Sequence, residues 1–348
     1  MSARRPHVQM KALRPDRPLD LTNPVLARLA ATWTQHVGPA DPGPGGDFED
    51  WVESAFRVQA ALDVLGPAVT IDDDNPSARA AMARMRGQDP EPSDDVLELG
   101  VVFGRHALPA DESDAIASGY LTLETFARRA GRRIVPADAL SHDEHDADAV
   151  MARLAAERPG TEEFFVKARA TKVLVVRARA GQTLMDAVRE QLGEGAEWAI
   201  IGMEGAHRPL MVQDYVPMRF EYRVFVAGHE PVTGAACIEA HTPLDRLADP
   251  GDPLAAFDPV LREHRTEGAP VGQNRAVRET LVAYARDVAA ELADEAPAMR
   301  DYVLDVALGP DDRPLVVELN GRTNAGFYSS DPHTLVAALA RAEGPADD

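Results

Sequence analysis

The residues DYVLDVALGPDDRPLVVELN, 301–320, hold the densest set of groups able to do chemistry. GPDD is a turn signal between two apolar runs and predicts an antiparallel hairpin. A four-residue loop over Gly309–Asp312 sets Leu308 opposite Arg313, Asp305 opposite Val316 and Leu304 opposite Val317. One face then carries Tyr302, Leu304, Val306, Leu315, Val317 and Leu319, all apolar, and the other carries Asp305, Val316, Glu318 and Asn320. Sliding one strand by a residue would mix carboxylates into the apolar face, so the pattern itself favours this register. Asp305 and Glu318 become diagonal neighbours, with Asn320 two residues along on the same face. Two carboxylates and an amide oxygen are hard donors, suited to Mg²⁺ whose other positions go to water and phosphate. Val303, Ala307 and Val316 make this face partly apolar, which suits a covered cleft.

Cations that could meet phosphate lie upstream. Of the 36 Lys+Arg residues only Lys11, Lys167 and Lys172 are lysines, and the last two share one strand-like segment. Lysine kept against such an arginine bias points to a need for a compact point charge. In FEYRVFVAGHEPVTGAA, a turn at Gly228–His229 joins two strands. Glu221 and Arg223 share one face, and a two-residue turn places Arg223 opposite Gly234, leaving room for a ligand. PADPGPGGD at 39–47 is a loop but not a phosphate cradle, because no GK[ST] follows it. Cys237 lies in an apolar stretch and reads as core. His142 and His145 stand at the start of a surface helix and read as solvated polar residues.

The elements that must position these groups follow from periodicity. VLARLAATW is a short helix, and Phe48 to Leu65 is a second, N-capped by Asp47. NPSARAAMARMRG at 75–87 is a third. VLELGVVFG at 96–104 (strand), YLTLETFARRAG (helix) and RRIVPAD (strand) alternate as in a small α/β lobe. From residue 161 the chain reads as hairpins with inserted helices: EEFFVKARA, KVLVVRA, WAIIGM, LMVQDYV, FEYRVFVAG, PVTGAACIEA, DYVLDVAL and PLVVELN are strands, and TLMDAVREQLG and RAVRETLVAYARDVAAEL are helices. Such a succession is α+β with antiparallel sheets. The expected domains are a helical or irregular region at 1–94, an α/β lobe at 95–160 and an α+β domain at 161–348. Residues 243–274, rich in Pro, Asp and Gly, are expected to be a long lid-like loop that closes over the site.

The chain has 348 residues, 45% of them hydrophobic, enough for two or three packed lobes. Its net charge of −21, from 57 Asp+Glu against 36 Lys+Arg, argues against nucleic-acid and anionic-membrane partners. One cysteine excludes an internal disulfide. No apolar run reaches membrane-span length, and MSARRPHVQMK lacks the apolar segment of a secretory signal, so the cytoplasm is the expected location.

Four ordered segments, FFVKARATK, MVQDYVP, FEYRVFVAG and LDVAL…LVVELN, resemble the ATP-grasp superfamily, and within it the clade of ligases marked by an arginine and two lysines. The resemblance spans about 162–330. It implies a fold of two α+β lobes clasping ATP, with Mg²⁺ bound at Asp305, Glu318 and Asn320. It implies that Lys167 and Lys172 hold the α- and β-phosphates. MVQDYVP resembles the interlobe hinge, Gln213, Asp214, Tyr215 and Val216, whose backbone would pair with adenine beside Met211, Ile200 and Ile201. Glu221 would bind the ribose. Arg223 and Arg322 would meet the γ-phosphate or an acyl phosphate, with Lys172 also in a catalytic role, and Asn324 and Tyr328 would line the acceptor site. The activity implied is an ADP-forming ligation of a carboxylate to an amine, on small-molecule or peptide substrates, with the oligomeric state open. An ATP-grasp-like small-molecule kinase and a nucleotide-binding partner protein without turnover are the alternatives. The segment ARATKVLVV departs from many members in having no glycine-rich phosphate loop. Replacing Asp305 or Glu318 is expected to abolish turnover and leave the fold intact.

Overall fold

The computed structural model describes residues 5–9, 13–43, 47–66, 70–72, 96–98, 120–168, 174–203, 209–247, 249, 251–266, 268–321 and 325–342. The chain forms two compact units, Met1–Ile116 with Met218–Asp348, and Ala117–Pro217. These limits differ from the division at 94/95 and 160/161 expected from the sequence. The strand Ile134–Asp138 pairs antiparallel with Pro209–Asp214, which ties the segment before residue 160 to the sheet that follows it. Residues 75–87 and 99–104 lie outside the described residues.

The first unit starts with β1 (Arg5–Gln9), which lies between β2 (Thr70–Asp72) and β3 (Val96–Glu98) in a parallel sheet. Helices α1 (Pro24–His36) and α2 (Phe48–Leu65) begin where side chains satisfy the first free N–H groups. Asn23 Oδ1 accepts from Val25 N at 2.9 Å, and Asp47 Oδ1 accepts from Asp50 N at 3.1 Å. The main sheet has the order β13-β12-β8-β9, all antiparallel, from β8 (Arg219–Ala227), β9 (Glu230–Ala236), β12 (Tyr302–Leu308) and β13 (Pro314–Asn320). The face bearing Phe225, Ala227 and Val303 joins Leu29, Trp33, Trp51 and Val58 in one core, with Leu335 and Leu339 of the C-terminal helix Pro332–Ala342. Arg223 and Asp305 stand two residues from Phe225 and Val303 along their strands and so lie on that same face. The long helix Arg275–Glu295 packs on β8, β9 and β12.

Two bulges change the expected registers. Leu308 pairs with Pro314 and Val306 with Val316, but beyond the irregularity at Asp305/Val306 the pairs are Asp305–Glu318, Leu304–Leu319 and Val303–Asn320. Val317 is the extra residue, and it moves Leu315 to the carboxylate face and Val316 to the other. The second irregularity, at Phe225/Val226, pairs Arg223 with Ala235 and Val224 with Gly234. Gly234 therefore makes room for packing rather than for a ligand: a Cβ there would lie 2.5 Å from Arg223 O and 2.8 Å from Tyr222 Cε1. The buried Tyr222 hydroxyl lies 2.8 Å from Gly234 O and 3.0 Å from Asp258 O, sharing its one proton between them.

The segment 243–274 is more ordered than its composition suggests. It contains the antiparallel pair β10 (Val260–Arg262) and β11 (Val271–Gln273). Asp252 receives the buried Arg278 guanidinium at 2.8 Å, and Phe257, Asp258, Val260 and Leu261 are buried.

The second unit is one antiparallel sheet of order β4-β7-β5-β6, from β4 (Ile134–Asp138), β5 (Glu163–Ala168), β6 (Val175–Arg179) and β7 (Pro209–Asp214). Phe164, Val166, Ala168, Val176, Leu210 and Val212 form its packed face, against α-helices at Ala147–Glu157, Leu184–Leu192 and Ala196–Met203. The last of these helices corrects the strand expected for WAIIGM. A short apolar run carries no period of its own. Here Ala196, Ala199 and Met203 reach the core at helical spacing and leave Trp198 and Ile201 exposed. Ile200 and Ile201 therefore stand on a helix and not on a strand. Among the described residues no helix is long and apolar enough to cross a membrane.

Candidate active site

In the first unit the site grows from the central pair of strands. The β8–β12 register sets Arg223 opposite Asp305, and the β12–β13 register sets Asp305 opposite Glu318. The Arg223 guanidinium forks onto Asp305, Nε to Oδ1 at 2.9 Å and Nη2 to Oδ2 at 2.7 Å. Their side chains are 3% and 0% exposed. Burial alone would push Arg223 down, but the Asp305 charge and hydrogen bonds outweigh it and hold the guanidinium well above its ordinary value. Arg223 is a permanent cation here. Its Nη1 also donates to Gly326 O at 3.2 Å, and its head group lies 5.2 Å from the Tyr328 ring centroid.

The three expected metal ligands converge. Asn320 Nδ2 donates to Glu318 Oε1 at 3.0 Å and to Asp305 Oδ2 at 3.3 Å. The amide bridges the two acids with the positive end of its dipole. Turning the amide over presents its oxygen instead, so that a hard cation among these groups would meet three oxygen donors. The Arg223 fork uses one lone pair on each Asp305 oxygen and leaves another on each. The donor set fits Mg²⁺.

Glu221 lies near this cluster rather than in a Glu221–Arg223 pair. Its partner is Arg265, at 3.2 and 3.3 Å, which also reaches Glu239 at 3.1 Å. Burial pushes the Glu221 carboxyl up, opposed by Arg265 and reinforced by Asp305 and Glu318. One ligand atom each from Glu221, Cys237 and Asp305 lie within 4.8 Å of one another. Cys237 is buried, as expected of a core residue, and burial followed by the Glu221 and Asp305 charges pushes its thiol well up. A protonated thiol beside two acids is a poor nucleophile. Tyr328 packs on Ala235 and Cys237. Sequence reasoning missed Arg265, whose surroundings in a Pro- and Gly-rich stretch carry no periodic signal.

In the second unit Lys167 pairs with Met211 and Val175, and Phe165 with Gln213. These side chains share the sheet face opposite the helix-packed one, with Lys167 half-buried. Gln213 Oε1 accepts from Arg132 Nε at 2.7 Å. Asp214 takes the Arg133 fork at 2.9 and 2.7 Å. Burial pushes Asp214 up, but these hydrogen bonds outweigh it and hold it below the usual carboxylate range. Tyr215 N–H donates to Glu163 O at 3.1 Å, and Arg177 lies 3.8 Å over its ring. Gln213 and Asp214 thus anchor the extended run that ends at Val216. Lys172, Arg322 and Asn324 lie outside the described residues.

Two α+β lobes, with a metal-fitting hairpin in one and a lysine-bearing sheet in the other, define an ATP-grasp domain. Residues 115–339 match a family model described as an ATP-grasp domain, family 3 of its clade, and the chain belongs to that family. Among solved structures it is similar to the ATP-grasp ligase PsnB complexed with minimal precursor, at 18% identity over 65% of this chain and 62% of that one, TM-score 0.33. It is also similar to the macrocyclase MdnC bound with precursor peptide MdnA from Microcystis aeruginosa MRC, at 15% identity over 69% and 65%, TM-score 0.37. A third likeness is the D-cycloserine synthetase DcsG, at 15% identity over 97% and 99%, TM-score 0.40. The chain spans about three fifths of the length of the PsnB chain, 62%. No curated protein matches it.

Proposed function

We propose that this chain is an ATP-dependent, ADP-forming carboxylate–amine ligase. The observation that carries the reading is that each acid on the candidate face already has a partner, beside a cation that cannot lose its proton. Asp305 is held by Arg223, Glu318 by Asn320 and Glu221 by Arg265. A neutral alcohol acceptor would need a base to remove its proton. A carboxylate needs none and gains from the fixed cation. This favours ligation over alcohol phosphorylation, and the clustering of all three donors favours turnover over binding alone.

In the reaction, an oxygen of the substrate carboxylate attacks the γ-phosphorus. The bond to the β,γ-bridging oxygen breaks, and ADP leaves. The amine nitrogen then attacks the acyl carbon, and the carbon–oxygen bond to phosphate breaks. Phosphate leaves, and the nitrogen's proton passes to phosphate or solvent. Mg²⁺ held by Asp305, Glu318 and Asn320 would neutralise charge on the phosphate oxygens. The protein's work is positioning and electrostatics. Arg223 and Arg322 stabilise the transferred phosphoryl group. Lys167 and Lys172 neutralise the α- and β-phosphates. The backbone of Asp214 and Val216, in the run from Gln213 through Tyr215, pairs with adenine. Glu221 takes the ribose, and its closeness to Arg265 makes release of that arginine part of binding. The acid and amine are small molecules or groups on a peptide.

The test supplies candidate acids with hydroxylamine in place of the amine. The expected products are ADP, inorganic phosphate and a hydroxamate. Formation of AMP and pyrophosphate, or of a stable phosphorylated alcohol without phosphate release, rules the mechanism out.

A further inference from the structure

The N-terminal helix α2 carries a buried acid that the ligation chemistry does not use. Glu53 is 4% exposed, in a helix otherwise packed through Trp51, Val52, Ala55 and Val58. Its two oxygens accept from consecutive backbone groups far along the chain, Oε2 from Phe327 N at 2.8 Å and Oε1 from Tyr328 N at 2.6 Å. One turn later Arg57 lies 3.7 Å from Glu53, donates to Ala325 O at 3.4 Å and stacks 4.3 Å over the Phe327 ring. The helix therefore grips residues 325–328 by their main chain, and the grip depends little on the loop's side chains.

The same four residues face Arg223 on their other side, through Gly326 O and the Tyr328 ring. Tyr328 has φ of 51°, a left-handed conformation that side-chain-bearing residues adopt at a cost. In this conformation successive N–H groups point together, as in an anion-binding nest, and the Glu53 carboxylate fills it. A buried carboxylate is a costly way to close a loop unless the loop must be held in one geometry.

We propose that Glu53 is a positioning residue: it seats the 325–328 loop so that Gly326 O and Tyr328 fix the Arg223 guanidinium at the phosphate-binding face. The region before residue 94 is then part of the active-site architecture. The consequence for nucleotide rests on the ligase reading above, in which Arg223 meets the γ-phosphate. The seating of the loop does not.

Two readouts in the full chain test it with Glu53→Gln, which keeps size but can accept from only one of the two N–H groups. The amides of Phe327 and Tyr328 are expected to exchange with deuterium at least about tenfold faster, while those of β12 stay unchanged. The affinity for a non-hydrolysable Mg-ATP analogue is expected to fall about tenfold, while Mg-ADP stays within about twofold. A general loss of structure would weaken both nucleotides alike. If the Gln variant does not fold, Glu53→Asp carries the same readouts, since the shorter acid keeps the charge and loses reach. Unchanged exchange at Phe327 and Tyr328 overturns the proposal. So does an equal effect on both nucleotides, or none. If the wild-type chain binds neither nucleotide, the ligase reading fails, and exchange alone decides whether Glu53 seats the loop.

Discussion

Asp305→Asn is expected to cost stability as well as activity, because Asp305 is the counter-charge of a buried arginine. The pair is 3% and 0% exposed and joined by two hydrogen bonds, of 2.9 and 2.7 Å. Removing one partner of a buried pair leaves an uncompensated charge and costs about 3–5 kcal/mol. Arg223 cannot relieve this by losing its proton. Arg223→Met should cost a similar amount, by leaving the Asp305 carboxylate buried with Asn320 as its remaining side-chain donor. The double variant removes both charges, so its cost should fall short of the sum by at least about 2 kcal/mol. Urea unfolding followed by tryptophan fluorescence reads this directly. Trp33 and Trp51 are fully buried in the core of the unit that holds the pair, whereas Trp198, in the other unit, is 77% exposed. The fluorescence change thus reports chiefly on the unit of interest. The slopes must agree among variants for the midpoints to be compared. A cost below about 1 kcal/mol for either single variant, as for an exposed pair, would refute the reasoning, and so would strict additivity. This amends the expectation that an Asp305 variant leaves the fold intact: its lost turnover would not by itself report a lost metal ligand.

Glu318→Gln is the cleaner probe of the metal site, since Glu318 is only half-buried. It should shift stability by less than about 1 kcal/mol but raise the Mg²⁺ needed for half-maximal turnover roughly 10–100-fold. An unchanged Mg²⁺ requirement would exclude Glu318 as a ligand. Lys167→Met should weaken Mg-ATP binding by about 2–3 kcal/mol in calorimetry, roughly 30- to 150-fold, and unaltered affinity would make Lys167 an ordinary strand residue. Burial pushes Glu53 up to about 7 from its usual 4.5, partly offset by Arg57 and the two backbone N–H groups and reinforced by Asp50. The folded state then holds a proton that the unfolded state has released, so this group's contribution to stability falls as pH rises from 4.5 to about 7. At about 1.4 kcal/mol per pH unit the loss is about 3 kcal/mol. Glu53→Gln should lack that slope, and parallel wild-type and variant stability curves from pH 4 to 8 would show that Glu53 does not titrate in this range.

What the sequence determined by itself is what short-range periodicity encodes. Asp47 before an amphipathic run specified α2, and GPDD between apolar runs specified the hairpin. Alternation put Asp305, Glu318 and Asn320 on one face, and the order of four segments marked the family. Each of these depends on residues within about ten positions of one another, where sterics and capping act without outside help. Tertiary structure decided the rest. The Val317 bulge exchanged Leu315 and Val316 between faces, and the second bulge moved Gly234 from Arg223 to Val224. Strand pairing is set by which carbonyls and N–H groups meet across the sheet, a choice that neighbouring strands and packed helices make together. WAIIGM became a helix because a core met it at helical spacing, although its own composition allowed either form. The partners of the site residues were least legible of all. Asp305 holds an arginine 82 positions away, and Glu53 grips a loop 274 positions away. Charge and burial fix such pairs only when the folded chain brings them together, since a buried acid can choose among 36 cations and any unpaired main-chain N–H.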